Sequence, residues 1–414
     1  MKFLFTAPRF HTNQAPIVKG LIEKGHEVRY FVVFVGATED HTYCEPLVLK
    51  PSLTTMREKR KLEKTLIPSN VESAIGGHFI PDYPSLKQSF EEYMPDVVIC
   101  REKTNLTLCV KALCDEHNIP CILYDQEPLY RLKDSAKELS TFQQPRRPIL
   151  KRIVTKLQRT LNPDRRMLQK MRMSSGFPTV HMTPVRYARL PRELSENAAS
   201  PHTYFIPFVA EQHSEACKRT YCPGGLLRIL CVGKFREYKN VKLLVEAATM
   251  IDIEQDWTIT IVGQVSNSDE HEYYNQTKEM IAKSGLESRI TLKTNIPYET
   301  MGEIYLQHDV FVLPSRKEVA SIAVLEAMSY GLAVISTDYN GTASYVEDTD
   351  CGAVFATRDA KDLAGKIKNL SRKDIREYGE NARYKSAEDY GFDNYYSAIG
   401  RLMEKEFGRK MGHI

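Results

Sequence analysis

The stretch from Phe311 to Asp338, FVLPSRKEVASIAVLEAMSYGLAVISTD, restricts the fold of this chain more than any other. It reads as a strand over Phe311 to Leu313, a Pro314-Ser315 turn, and a charged loop with Arg316, Lys317 and Glu318. An apolar helix follows from about Ser321 to Tyr330, Gly331 stops it, and a second strand runs Leu332 to Ser336. Such a βαβ unit belongs to a parallel sheet. Its loop-to-helix junction is where α/β proteins bind phosphorylated ligands. Glu326 is out of place on that helix, among Ile322, Ala323, Val324, Leu325, Ala327 and Met328. A carboxylate there is costly unless it is paired or hydrogen-bonded. The vicinal hydroxyls of a ribose would each donate to one of its oxygens. The competing reading is a glutamate that reaches solvent past Ser329 and Tyr330.

Short apolar strands alternate with helical segments along the whole chain, the pattern of parallel sheets. In the first half, a strand at Phe3 to Thr6 leads through PRFHTNQ into a helix at Ala15 to Lys24, then a strand at Val28 to Val35. Strands at Val97 to Cys100 and Cys121 to Tyr124 flank a helix, and Val180 to Thr183 and Tyr204 to Ile206 close the set. From about residue 225 the pattern restarts with a strand at Leu227 to Val232. The expected fold class is α/β, with two Rossmann-like domains. One covers 1–208, with a C-terminal helix at about 394–414 packing back on it, and the other covers 209–393.

At 414 residues the chain is long enough for two or three cores. It is 42% hydrophobic and 27% charged, which excludes disordered and fibrous classes. No apolar run approaches the roughly 18 residues a membrane span needs. MKFLFTAPRF is apolar too briefly for a signal-peptide core and fits a first strand, so a cytoplasmic location is expected. Nine cysteines without a C-x-x-C pattern read as buried free thiols. The net charge of +4 is uneven: +9 over residues 1–200 and −5 over 201–414. The basic half is where an anionic surface or acceptor would be met.

The second half opens with LRILCVGKFREYKN, a strand ending at Gly233 with Lys234 and Lys239 after it. Glycine lets a ligand approach the backbone, and two ammonium groups could clamp a diphosphate. Together the segments GKFREYK, IVGQ (with Gly263), the Phe311–Asp338 signature with two glutamates, and YNGTASYVED resemble the retaining glycosyltransferases of family 4, which have the GT-B fold of two facing Rossmann domains. The resemblance covers most of the second domain in order. The first domain matches only in outline, through the GHEV turn.

This resemblance implies a metal-independent retaining transferase that needs no cofactor. Glu318 would contact hydroxyls of the donor sugar, and Glu326 would hold the ribose. Lys234 and Lys239 would neutralise the diphosphate as it leaves. Gly233 and Gly263 would lie against the donor, and Ser321, Ile322 and Ala323 would offer the helix N-terminus to its phosphates. Asn295 and Ile296 occupy the loop that borders the base in the family. Three departures stand out: Val319 and Ser321 where the family has glycines, Ser344 where it has glutamate, and Asp125 where a histidine often ends a first-domain strand. Asp125, Gln126, Glu127 and His11 are therefore all candidates to face the sugar. Arg9, Thr12 and Asn13 share the His11 loop as acceptor-side or phosphate-side contacts. A structural role for His11, capping the first helix, stays open. Asp348-Thr349-Asp350 has the form of a metal-binding D-x-D but reads as a surface turn.

Residues 145–173 carry ten Lys/Arg and one acidic residue, Asp164, with Pro148 and Pro163 marking two short helices. Leu150, Ile153, Val154, Leu157 and Leu161 make an apolar stripe. Residues 56–64 form a second basic cluster. A basic amphipathic helix can lie on anionic lipid or simply pack on its own domain. Nucleic acid is not expected, because no recognition motif accompanies the clusters. The expected function is transfer of a sugar from a nucleotide diphosphate sugar to a glycan or lipid-linked acceptor in cell-surface polysaccharide or glycolipid synthesis, possible on the inner membrane face. The alternatives are a non-catalytic nucleotide-sugar-binding subunit that scaffolds a partner transferase, and a sugar-nucleotide epimerase.

Overall fold

The computed structural model describes the chain except residues 37–38, 40, 66–67, 125–161, 186–200, 252–255, 317, 319, 348 and 412–414. The described chain divides into two compact units. One gathers Met1–Thr183, Asn197–Ile206 and Tyr396–Ile414, and the other Pro184–Glu196 and Pro207–Tyr395.

The strands of the first unit are β1 (Lys2–Ala7), β2 (Glu27–Val32), β3 (Leu47–Val48), β4 (Val97–Arg101), β5 (Cys121–Tyr124), β6 (Val180–Thr183) and β7 (Thr203–Phe205). They pair in the order β3-β2-β1-β4-β5-β6-β7, every pair parallel. Its helices are α1 (Ala15–Glu23), α2 (Leu53–Leu62), α3 (Pro68–Gly76), α4 (Tyr83–Tyr93), α5 (Asn105–Glu116) and α6 (Pro163–Ser174). Local signals set their starts. Thr104 and Thr107 cap α5 reciprocally, and the Asn162 side chain accepts from Arg165 N ahead of Pro163 in α6. Leu4, Phe31, Val98 and Cys100 from the sheet meet Phe90, Leu106, Val110 and Leu113 in one apolar core.

In the second unit, β8 (Leu227–Val232), β9 (Trp257–Gly263), β10 (Ile290–Thr294), β11 (Val310–Leu313), β12 (Ala333–Thr337) and β13 (Gly352–Phe355) pair in the order β10-β9-β8-β11-β12-β13, again parallel throughout. The helices are α7 (Val241–Ala248), α8 (Ser268–Lys283), α9 (Met301–Leu306), α10 (Ile322–Ser329), α11 (Ala343–Glu347), α12 (Ala360–Lys368) and α13 (Arg372–Glu388). β11 and β12 are buried at every residue, as strands covered on both faces must be. Gly331, at φ +74°, ends the turn after α10 in the left-handed region where a side chain would be strained.

The last helix, α14 (Phe392–Phe407), begins in the second unit and ends in the first. Within the first unit it is anchored by polar contacts. The Tyr396 hydroxyl meets His26 Nε2 at 2.8 Å, Glu406 pairs with His202 at 2.8 Å, and Arg409 beyond the helix donates to the carbonyls of Asp96 and Asn118.

The eight cysteines with described side chains are free and buried, as their scatter in the sequence suggests. Among the described residues no helix is long and apolar enough to cross a membrane.

One buried ion pair ties three segments of the second unit together. Asp309, fully buried just before β11, accepts from Arg228 Nε at 2.9 Å and Nη2 at 2.8 Å. It also accepts from the backbone N–H groups of Cys222 and Arg228, both at 3.0 Å. Removing one member of such a pair strands the other charge and two amides. Asp309→Ala is expected to lose about 3–5 kcal/mol of stability, read as a lower urea midpoint at unchanged m-value.

Candidate active site

In both sheets the strand order reverses beside a central pair, β1 with β4 and β8 with β11. Loops leaving the two strands of such a pair turn to opposite faces of the sheet, and a crevice opens at the carboxyl ends between them. In the second unit these loops are Gly233 to Asn240 and Pro314 to Ser321.

Gly233 follows β8, and a Cβ placed on it would stand 3.4 Å from Lys239 Cδ. The bare glycine thus lets the lysine stem lie along the strand end. Lys239 Nζ makes an ion pair with Glu318 Oε2, and both side chains are largely shielded from water. Ser315 Oγ approaches the same carboxylate oxygen at 3.4 Å. The Glu318 backbone is fixed as well: its N–H donates to Tyr339 O and its carbonyl accepts from Gly341 N, each at 3.1 Å. Loops after β8, β11 and β12 therefore converge on Glu318. Lys234 lies on the same loop as Lys239 but is exposed, and it is Lys239 that contacts Glu318.

Glu326 lies in the second turn of α10 and is half-buried. Two phenols hold it: Tyr305 OH donates to Oε2 at 2.7 Å and Tyr298 OH reaches Oε1 at 3.4 Å. Burial pushes its pKa above the ordinary carboxylate range, and the Glu211 carboxylate pushes the same way, while the two phenol hydrogen bonds oppose them. Tyr305 stacks on Tyr330 at 5.2 Å between ring centroids, and Tyr330 on His213 at 3.8 Å. Sequence reading did not single out Tyr298 or Tyr305. Their spacing of seven residues in a helical segment was the available signal, since it puts both on one face.

Ser321 precedes α10 and makes no side-chain cap, so the first N–H groups of Ile322 and Ala323 have no capping side chain. Gly263 ends β9, where a Cβ would lie 2.3 Å from the Gly233 carbonyl oxygen and 2.7 Å from the Phe235 ring. Glycine is required there by the crowding of strand ends. Asn295, in the left-handed region at φ +54°, spends its side chain on Val265: it accepts from Val265 N at 2.9 Å and donates to Val265 O at 3.1 Å. It shapes the loop after β9, and Ile296 beside it is half-buried. Thr349 of the D-x-D sequence is buried rather than at the surface, because its hydroxyl donates to the Tyr345 carbonyl. Asp350 is exposed, and Asp348 lies outside the described residues.

His11 belongs to the first unit, at the carboxyl end of β1, and does not cap α1, whose N-cap is Gln14. Burial, then the charges of Arg101 and Arg9, hold it well below its ordinary pKa, so the ring is neutral at pH 7. Asp125, Gln126 and Glu127 fall outside the described residues, as do Lys317 and Val319.

The raised pKa of Glu326 carries a stability signature. A carboxyl with a folded-state pKa above its unfolded value binds more protons when folded, in the interval between the two. Stability is therefore expected to decline as pH rises through that interval and to level off above it. Glu326→Gln should abolish the decline in denaturant unfolding followed across pH. Tyr305→Phe should steepen it and cost about 1–3 kcal/mol near neutrality, the penalty of an unmet buried acceptor.

Comparison with known proteins bears on the fold and on the second unit's sequence. The lipopolysaccharide core biosynthesis mannosyltransferase LpsB of Rhizobium meliloti (strain 1021) is 30% identical over 137 residues, 32% of this chain and 37% of that protein. The corresponding LpcC of Rhizobium leguminosarum bv. viciae is 25% identical over 227 residues, 54% of this chain and 62% of that protein. The matches thus span about a third to three-fifths of those relatives' length. A glycosyltransferase crystal structure from Rickettsia africae ESF-5 superposes with a TM-score of 0.66 at 14% identity, covering 99% of both chains. Anabaena Alr3699/HepE, solved in complex with UDP, gives 0.63 at 13% identity, covering 98% of this chain and 100% of that one. The fold is therefore GT-B, two parallel-sheet units. Residues 221–388, within the second unit, match the family described as glycosyl transferases group 1.

Proposed function

We propose that the protein is a retaining glycosyltransferase that moves a sugar from a nucleotide diphosphate sugar to a hydroxyl of a glycan or lipid-linked acceptor. The observation that carries the reading is the convergence of Lys239, Glu318 and Ser315 at the ends of β8 and β11, with Glu326 on the helix that β11 feeds. In this reading the ribose hydroxyls replace Tyr298 as donors to Glu326, which favours the ionised carboxylate. Glu318 receives sugar hydroxyls. Lys239, Lys234 and the N-terminus of α10 meet the diphosphate, whose charge grows as the glycosidic bond breaks. These cations supply the neutralisation, so the reading requires no metal ion. The acceptor oxygen attacks the anomeric carbon on the face that the diphosphate leaves. The carbon–oxygen bond to the acceptor forms as the bond to the phosphate oxygen breaks, and the acceptor proton passes to the departing phosphate.

The names of the relatives support the substrate class. Two Rhizobium proteins act in lipopolysaccharide core biosynthesis, and HepE was solved with UDP. Release of UDP or GDP that depends on donor and acceptor together tests the reading; a pure nucleotide-sugar binder releases none. Lys234→Ala with Lys239→Ala is expected to lower kcat by about 10²-fold or more, the scale of losing oxyanion-type stabilisation. Glu326→Gln should chiefly weaken nucleotide binding. Near-normal turnover in the double lysine variant would remove the leaving-group role.

Peripheral attachment to an anionic membrane surface is part of the same proposal. Two basic segments distant in sequence lie together in the first unit. Asp164 and Asn162 at the start of α6 bind the Thr54 hydroxyl of α2, and Arg165 pairs with Glu58 at 2.7 Å. Arg57, Arg60, Lys61, Arg166, Lys170 and Arg172 remain exposed on the two helices, with the apolar side chains of Leu53, Met56 and Met173 also in solvent. Cations beside exposed apolar groups suit anionic lipid. Residues 145–161, with their apolar stripe, lie outside the described residues. Co-sedimentation should be stronger with anionic than with neutral vesicles and should weaken when Arg57, Arg60 and Lys61 become glutamate. Equal partitioning would count against attachment.

A further inference from the structure

The first unit holds a buried cation with which no described carboxylate forms an ion pair. Arg101 ends β4 at 5% exposure. Its Nη1 donates to Asn13 Oδ1 at 3.0 Å, and the guanidinium lies 5.8 Å from the centre of the Tyr124 ring. Its Nε is buried without a partner. No ion pair is formed with it among the described residues. A guanidinium this far from water is costly unless an anion meets it.

Three neighbours point the same way. Gln14 is 1% exposed, and its amide Nε2 is a second buried donor without a partner. Gln14 is also the N-cap of α1, a helix of nine residues that no side chain caps. Its positive end therefore faces the Asn13 and Gln14 turn. His11 and Arg9 stand on the same loop, and the field of the two arginines disfavours a charge on His11. Glu39, a buried carboxylate in the same region, meets His41 Nε2 at 3.0 Å through one oxygen; its other oxygen is buried without a hydrogen-bond partner, and neither pairs with Arg101. Glu102 follows Arg101 directly in the chain, with its backbone at φ +69°.

All of this lies at the carboxyl ends of β1 and β4, where the strand order of the first sheet reverses and a ligand crevice is expected. Neither unpartnered donor is explained by packing. Both are explained by an oxyanion that accepts from the Arg101 fork, the Gln14 amide and the start of α1, the geometry with which arginine and helix ends take phosphate.

We propose that the β1–β4 crevice of the first unit is a phosphate site, and that the phosphate belongs to the acceptor. The acceptor is then a phosphorylated sugar or a lipid-linked sugar carrying a phosphate group, rather than a neutral glycan. The assignment to the acceptor rests on the transferase reading, in which the second unit holds the donor.

Equilibrium dialysis of the full chain with radiolabelled orthophosphate, with and without saturating UDP or GDP, tests it. Three proteins are compared: wild type, Arg101→Gln and Gln14→Leu. The Gln14 variant removes a donor that bonds to nothing, so the fold loses no hydrogen bond with it. Orthophosphate should bind wild type in the presence of nucleotide. Each variant should weaken it by about tenfold or more, the worth of a charge-assisted hydrogen bond, while nucleotide affinity changes less than about twofold. Equal orthophosphate binding by all three proteins would overturn the site. Loss of orthophosphate when nucleotide saturates would overturn the acceptor assignment, because the crevice would then take the donor's diphosphate. Orthophosphate held through Arg101 by a protein that binds neither nucleotide would keep the site and sink the transferase reading instead.

Discussion

A parallel sheet in which the strand order reverses cannot close its own carboxyl edge. At β8 and β11 the loops depart to opposite faces, and the strand ends between them are left with backbone groups and whatever side chains the loops return. This constraint decides what the surrounding residues must be. Gly233 and Gly263 are bare because the ends of β8 and β9 crowd each other, with a carbonyl oxygen at 2.3 Å from where a Cβ would stand. Lys239 reaches back over the glycine, its stem 3.4 Å from where a Gly233 Cβ would stand. Glu318 is pinned by the loop after β12 because its own loop has no secondary structure to fix it. The site follows from topology first and side-chain chemistry second.

The charges of this edge are compensated before any ligand arrives. Lys239 is satisfied by Glu318, and Glu326 by Tyr305 and Tyr298. Tyr305 is a short, buried bond on a stacked ring, whereas Tyr298 is 60% exposed and sits at the long limit of a hydrogen bond. The two phenols therefore differ in kind. Tyr305 fixes the carboxylate in place, and Tyr298 fills a position that a better donor can take. A ligand with two vicinal hydroxyls gains by displacing Tyr298 alone, so the carboxylate need not move. Preorganisation of this sort lowers the ordering cost of binding.

The sequence made the repeating strands and their order of appearance legible, because buried parallel strands such as VFVL and AVIST are apolar at every position and need no partner to be recognised. The start of α10, the stop at Gly331 and the odd placement of Glu326 were legible for the same reason: each breaks a strong local pattern. The region between residues 47 and 93 was not, since β3 has two residues and α2 is too polar to show an apolar face. β13 was also missed: Gly352 and Ala353 open it, and neither favours a strand. Gly352 is tolerated because its Cα faces the Val334 backbone so closely that no side chain fits. Motif reading singled out Lys239, Glu318 and Glu326 but not the two phenols, whose seven-residue spacing puts them on one face without naming Glu326, across an intervening strand, as their partner. Thr349 was misplaced for a similar reason, its hydroxyl being turned inward to a carbonyl that composition does not reveal.

Seen separately, the two units solve the same topological problem with opposite electrostatics. Each has a crevice beside a reversal in strand order, a short helix starting above it without a side-chain cap, and a cation at a strand end. In the second unit the cation is matched by Glu318. In the first unit Arg101 has only the neutral Asn13 amide and an aromatic face. An arginine so placed gains little from neutral hydroxyls, which cannot offset the desolvation of a full charge. A carboxylate on a neighbouring strand would have removed the cost, as Asp309 does for Arg228 at the opposite end of β8. The β1–β4 edge lacks such a partner among the described residues, and an uncompensated guanidinium in a crevice selects its ligand by charge before it selects by shape.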